Sequence, residues 1–566
     1  MNLGFLRRKE FIWLILIAVI FVVLRLPAVD SPYHQDEYKW PMIVNPSLTE
    51  PGGIPHPPVG EFIYKTAGQT VGFDNFRMVP LIFSFVNLLL LFYLVKMIFN
   101  KKTAFWVASI FTISFYSVLA SLMVDTDGAI MPFFFLIAAI SYYKIRSSNF
   151  EINNKKWKWL SLLVLSVVLG FLVKISFALV PAILILDFAF EKKVFSDWKK
   201  VAKWILYIIS GAGLLALVLY LSTFIFPFFR LDWSLKYWEH FAVFKDRGWL
   251  QTFVQFSKAI LYSSPLLILP VFFTDREIFK KLRPFFLFIF IGLFFYLFLF
   301  DFSIGALDRY LQFLIIPLSL ISGAVFAKYL GDFKKEDIKK VIFPLVIGIV
   351  IFLFQFLNHF VPSLYPKSEW INRILSGEWN FLFPFMGGSG PIPFYVSLLF
   401  IILIWLSATI LIGFAFNKDN LKKGALLGVI ILGFVYNGVF IEEHLFGKIN
   451  GSSSSLVKEV TVFIDGNEDI KKVTVYNDNG GDEIQKIGKY RKRLYVDPKF
   501  DINDKIETLN KYKEHYLEID IPRIGTSSVY RRYLDFCVII YNKQDKHISA
   551  KVYDCRQVED IKISSF

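Results

Sequence analysis

The stretches Phe11–Leu24, Leu81–Leu94 and Phe285–Phe300 contain no acidic or basic side chain. Such runs have no polar face to turn toward water. Their apolar residues recur neither at every second position nor in a helical stripe. Crossing the hydrocarbon core of a bilayer takes roughly 20 mostly apolar residues. Lipid offers no partner to backbone N–H and C=O groups, so each such run is a helix. Composition points the same way. Of 566 residues 55% are hydrophobic, with 64 phenylalanines, more apolar surface than a soluble globule can hide. The first run has no small-residue cleavage site and is read as a retained span.

Spacing of the runs predicts a polytopic α-helical membrane protein with about 13 spans. They lie near 10–27, 78–99, 104–123, 128–145, 158–173, 175–190, 204–228, 252–273, 285–301, 310–329, 341–360, 393–416 and 424–441. The formal charge of +15 is spread in short clusters between the runs, which speaks against nucleic acid. Arg7/Arg8/Lys9, Lys101/Lys102, Lys192/Lys193, Lys280/Lys281/Arg283 and Lys422/Lys423 all fall on one side under an odd count. Positive clusters mark the cytoplasmic side, so the N-terminus is placed there.

The opposite face then carries the longer loops, 28–77, 229–251 and 361–392. From residue 446 the chain turns polar and mixed. Val473–Tyr476, His515–Ile521, Leu534–Tyr541 and His547–Tyr553 read as strands, and Asp482–Lys489 as a helix after a glycine turn. Residues 1–445 are therefore assigned to the membrane and 446–566 to a small extracytoplasmic α/β domain. Ser452–Ser455 reads as its linker, and Asn450-Gly451-Ser452 as a glycosylation sequon. Cys537 and Cys555, the only cysteines, lie on neighbouring strands, leaving a bridge and buried thiols both open.

Chemistry is expected in loop 28–77. Asp36-Glu37 places adjacent carboxylates where one can accept a proton while the other orients it or holds a cation. Asp125-Thr126-Asp127-Gly128 is a second acidic site at the end of a span, where carboxylates are costly unless paired. An Asx turn explains one of these aspartates, not both. Arg77, Lys174 and Arg309 border the same face. One cation at a helix end merely snorkels to the headgroups. Three beside acids suit a phosphate.

Asp36-Glu37-Tyr38 after the first span, His56-Pro57-Pro58-Val59-Gly60, and Arg77 opening the second span resemble the protein O-mannosyltransferases and their bacterial relatives of the GT-C superfold. Asp125-Thr126-Asp127 resembles the second acidic loop of that family. Lys174 and Arg309-Tyr310 resemble positions in the lipid A aminoarabinose transferase. The resemblance spans residues 1–330. It implies transfer of a sugar from a polyprenyl-phosphate donor to an extracytoplasmic acceptor (protein, glycan or lipid), without nucleotide sugar. Asp36 would be the general base of an inverting reaction, with Glu37 assisting. Arg77, Lys174, Arg309 and Tyr310 would hold the donor phosphate, and His56, Pro57 and Glu61 would shape the loop toward the acceptor. A divalent metal, if used, would sit on Asp36, Glu37, Asp125 and Asp127. The family's lysine after H-P-P-x-G is Glu61 here, which removes a phosphate ligand and adds an acid. The C-terminal α/β domain stands where eukaryotic members carry a β-trefoil, a layout nearer the aminoarabinose transferase. A transporter or lipid flippase is the rival reading, and would show internal repeats and helices broken near the midplane.

Overall fold

The computed structural model describes the chain outside residues 1–7, 44–54, 148–155, 242–247, 300, 302–306, 332–336, 357–363, 366–368, 386–390, 417, 477–478, 495–501, 520–523, 526–527 and 561–566. The glycine-rich loop Gly387–Gly390 lies outside the described residues. The chain divides into two units: Met1–Val29, Lys39–Pro344 and Ala408–Asn437 form the first, and Asp30–Tyr38, Leu345–Ser407 and Gly438–Phe566 the second.

Helices occupy all the expected span positions. Among the described residues, eight are long and apolar enough to cross a bilayer, or nine if Lys101–Ile113 and Phe115–Leu122, bent by 65° at Ser114, count as one span. The other positions hold shorter helices, such as Trp157–Val173 and Leu179–Glu191, or ones carrying charge at an end, such as Ile130–Arg146 and Ile338–Phe356. The chain is a multi-span membrane protein.

Side chains in the first unit pack tightly. Gly323 admits the helix Lys101–Ile113 so closely that a Cβ there would lie 2.4 Å from Val107 Cγ2. Small residues give membrane helices this close approach, where lipid supplies no hydrophobic drive. Asp187, fully buried, ties three helices together. It accepts from Tyr142 Oη at 2.5 Å, from Arg146 Nη1 at 3.2 Å and from Arg283 Nε. Glu191 binds both arginines as well. Two cations and two carboxylates neutralise one another, which is what makes the burial tolerable.

The second unit holds all the strands. β1 (Leu382–Phe385) and β2 (Phe394–Ser397) form an antiparallel hairpin. The expected span at 393–416 therefore begins as a strand, and its helix starts at Leu398. β3 (Val473–Tyr476), β4 (Tyr490–Leu494), β5 (His515–Ile519), β6 (Val538–Asp545) and β7 (Ile548–Asp554) form a mixed sheet in the order β4-β3-β5-β7-β6. β4, basic and half exposed, has no hydrophobic alternation and was not expected. The strand expected from Leu534 starts only at Val538, because Val529–Leu534 is helical.

Ser452–Ser455 is not a linker. Ser452 caps the helix Ser453–Gly466, its hydroxyl accepting the Ser455 N–H at 3.2 Å. Serine runs look like linkers, but serine is also a favoured N-cap. Leu456, Val457, Val460 and Ile464 on that helix pack on Val473, Val475, Leu517 and Val552 of the sheet. Tyrosines 476, 516, 530, 533 and 553 cluster separately with Cys555. Cys537 and Cys555 are bridged. Asn450 of the sequon is 1% exposed and donates to the Tyr395 carbonyl, so an oligosaccharide has no room there.

Candidate active site

The acidic turn is the organising element. Phe115–Leu122 ends at Met123, and the chain then turns through Asp125-Thr126-Asp127-Gly128 into the helix Ile130–Arg146. The expected Asx cap does not form: the helix Ile130–Arg146 has Ala129 as its N-cap without a side-chain bond, and Asp125 Oδ1 accepts the N–H of the adjacent Thr126 at 2.6 Å. Its Oδ2 pairs with Arg309 Nη1 at 2.8 Å, both side chains 3% exposed. Asp127 plays no capping part. Its Oδ2 holds Lys174 Nζ at 2.5 Å. Lys174 has extended backbone and ends the helix Trp157–Val173, so the lysine that divides the apolar run is there to meet a carboxylate. Gly128 is required by contact rather than by dihedral angle. A Cβ would sit 2.5 Å from the Ala120 carbonyl oxygen and 2.7 Å from Gln312 Oε1. Gly128→Ala should therefore push the turn away, destabilising the protein by about 1–3 kcal/mol, read as a lower unfolding midpoint in detergent.

Freed backbone groups around the turn are satisfied by long-range side chains. Arg77, buried and expected at the phosphate, donates Nη1 to the Leu122 carbonyl at 2.6 Å. Tyr64 Oη donates to the Asp125 carbonyl at 2.9 Å. At the other end, the break at Ser114 is closed from two sides. Arg25 Nη1 donates to the Thr112 carbonyl at 3.1 Å, with Nε on Ser121 Oγ and Nη2 on Ser117 Oγ. Asn437 Oδ1 accepts the Phe115 N–H at 2.8 Å, and its Nδ2 donates to Ser264 Oγ at 3.2 Å. Ser264 is itself a break, with φ 62° before Pro265. Broken helices are what the transporter reading expects. Here both breaks meet at one amide, which fixes them.

Beside the ion pairs lies a small cavity lined by His56, Pro57, Lys174, Ser176, Tyr237, Trp238, Tyr296 and Tyr310. A larger apolar one reaches from Asp127, Tyr296 and Tyr310 in among Phe135, Phe177 and Phe288. Tyr310 links the groups: its hydroxyl accepts from Arg309 Nη2 at 3.0 Å and lies 3.3 Å from Tyr237 Oη, and Lys174 Nζ stands 4.4 Å over its ring. His56 is stacked on Trp40 (centroids 6.0 Å apart, 11° between planes) and meets Tyr237 edge-on. Burial, and then the charges of Lys39 and Lys174, hold the His56 imidazole well below its ordinary pKa. Burial resists ionisation of Asp125, but Arg309, Lys39 and Lys174 together outweigh it and keep the carboxyl below the usual range.

The depressed His56 has a measurable consequence. The unfolded chain takes up a proton near pH 6.5, while the folded chain resists it. Stability is therefore full above about pH 6.5 and falls as pH drops below it. The unfolding midpoint of the native protein should drop more steeply between pH 7 and 5 than that of His56→Asn.

Asp36 and Glu37 fall in the second unit, on a 3-10 turn, Gln35–Glu37. Glu37 is fully buried and accepts the His34 N–H at 3.2 Å, whereas Asp36 is exposed. Glu61 is buried in the first turn of the helix Pro58–Val71, where the helix dipole favours an acid. Asp125 and Asp127 hold cations, and among the described residues no group of three His, Cys, Asp or Glu side chains is placed for an ion. From sequence alone, no site role falls to Lys39, Tyr237, Tyr296 or Arg25. Arg25, an arginine closing an otherwise apolar run, was the one visible signal.

A family model described as dolichyl-phosphate-mannose-protein mannosyltransferase matches residues 55–225, which include His56, Asp125, Asp127 and Lys174. No curated protein matches the chain. The fold is that of ArnT from Cupriavidus metallidurans in the apo state, at a TM-score of 0.53 and 12% identity over 97% of this chain and 99% of that one. The chain has the ArnT fold. ArnT bound to undecaprenyl phosphate gives 0.51 and 10% identity over the same shares. At such identity the likeness speaks for the GT-C architecture alone, so the reaction must be argued from the residues.

Proposed function

We propose that this protein transfers a sugar from a polyprenyl-phosphate donor to an acceptor hydroxyl or amine on the extracytoplasmic side of the membrane. The observation that carries the reading is the cavity at the acidic turn. Lys174 and Tyr310 line the smaller cavity, Arg309 donates to the Tyr310 hydroxyl, and Tyr310 also lines the larger apolar space, a combination suited to an anionic head on a lipid tail. The GT-C fold and the match over residues 55–225 support it.

The acceptor oxygen or nitrogen attacks the anomeric carbon from the side opposite the phosphate, so configuration inverts. The bond from that carbon to the phosphate oxygen breaks, and its electron pair leaves on the lipid phosphate. Lys174, Arg309 and Tyr310 stabilise the growing charge where water is excluded. Asp36, three residues along the chain from Lys39, takes the proton of the acceptor. Glu37, already holding the His34 N–H, keeps that turn in shape. Arg77 serves by fixing the Leu122 carbonyl beneath the acidic turn. The residues at the turn do not fit a metal, and no step is routed through one. The bridge between Cys537 and Cys555 supports the extracytoplasmic assignment, since disulfides persist in oxidising compartments.

The purified protein, given radiolabelled sugar on undecaprenyl phosphate and a membrane extract as acceptor, should release undecaprenyl phosphate in step with label transfer. No release with any polyprenyl-phosphate sugar, alongside movement of the intact lipid between leaflets, would favour the flippase instead.

A further inference from the structure

We propose that Lys39 is the cation that meets the phosphate charge of the donor in this cavity; this rests on the lipid-phosphate reading above and sharpens it. The argument is one of charge balance. Lys174 is paired with Asp127 and Arg309 with Asp125, so each of these cations is already matched by a carboxylate. No ion pair joins Lys39 to a carboxylate among the described residues. Its hydrogen-bond neighbour is His56, with Nζ 3.5 Å from Nε2.

That neighbour is informative. His56 is 5% exposed and lines the smaller cavity beside Lys174 and Tyr310. A neutral imidazole accepts from an ammonium without adding negative charge, so it fixes the lysine and leaves the charge unbalanced. The Trp40 ring, 5.5 Å from Nζ, adds a cation–π contact of the same kind. A lysine that only snorkelled to the headgroups would point its ammonium at water. This one is half-buried and turned to a buried histidine. An ammonium has three donors, so hydrogen-bonding capacity remains for a ligand.

Three cations (Lys39, Lys174 and Arg309) stand against two carboxylates (Asp125 and Asp127), leaving one positive charge. A sugar phosphodiester carries one negative charge. These five side chains thus carry the charge complement of the donor head. When the anomeric bond breaks, the departing phosphate gains a second negative charge. Lysine, a compact ammonium on a flexible stem, can follow it.

The test uses the full chain in nanodiscs and two probes, undecaprenyl phosphate and uncharged undecaprenol. The wild type should bind the phosphate at least about tenfold more tightly than the alcohol, the scale of one charge-assisted hydrogen bond. Lys39→Gln and Lys39→Ala should each lose most of that preference while binding undecaprenol unchanged. Lys39→Arg should keep it within about threefold, since a guanidinium retains the charge. A full preference in Lys39→Gln would overturn the assignment of Lys39 and leave the lipid-phosphate reading standing. A wild type that does not tell the two probes apart would overturn both.

Discussion

Arg309→Met is expected to destabilise the folded protein by about 3–5 kcal/mol and to abolish transfer, because it strands a buried carboxylate. Asp125 and Arg309 are each 3% exposed and 2.8 Å apart. Neither has water to fall back on. The informative variant is the double one. Arg309→Met with Asp125→Asn removes both charges, yet keeps an oxygen to accept the Thr126 N–H. Replacing both members of a buried pair is often close to neutral for stability. The unfolding midpoint in detergent should therefore return most of the way to wild type, while sugar transfer stays absent. Transfer at the native rate in the double variant would mean that the pair is only scaffolding.

Asp36→Asn is expected to lower the transfer rate by about 10²–10⁴-fold, the usual contribution of a positioned base, with little change in unfolding. Asp36 is exposed, so its charge carries no burial penalty in the folded state. Glu37→Gln should behave in the opposite sense. Glu37 is fully buried and accepts the His34 N–H. Its loss of charge should show first as lower stability and only then as lower activity. Measuring both midpoint and rate for the two variants separates the roles. A native rate in Asp36→Asn would remove it as the base.

The membrane architecture was legible because uncharged runs admit few folds. Lys174 was legible for the same reason: a lysine inside such a run needs a counter-charge, and Asp127 supplies it. The acidic turn was legible in part. Its surplus carboxylate follows from spacing, whereas the identity of each ion partner depends on residues far along the chain. Tyr237 and Tyr296 carry no local signal, since tyrosines at a membrane interface are common. Asn437 sits in a long apolar helix and becomes meaningful only through two breaks, at Ser114 and Ser264. The bond from Arg77 to the Leu122 carbonyl had no local signal, because a cation opening a span looks the same whether it meets a ligand or a backbone carbonyl.

Segment Asp30–Tyr38 belongs with the C-terminal part of the chain. Asp30 pairs with Lys458, 428 positions later, Lys486 stands 4.8 Å over the Tyr33 ring, and Tyr33, His34, Glu37 and Tyr38 are all buried. During synthesis this segment must wait for partners made several hundred residues later. A nascent chain can insert its helices in order, but the turn bearing Asp36 gains these neighbours only after Lys458 and Lys486 have been made. A product truncated before residue 446 would thus carry Asp36 on a turn that lacks them.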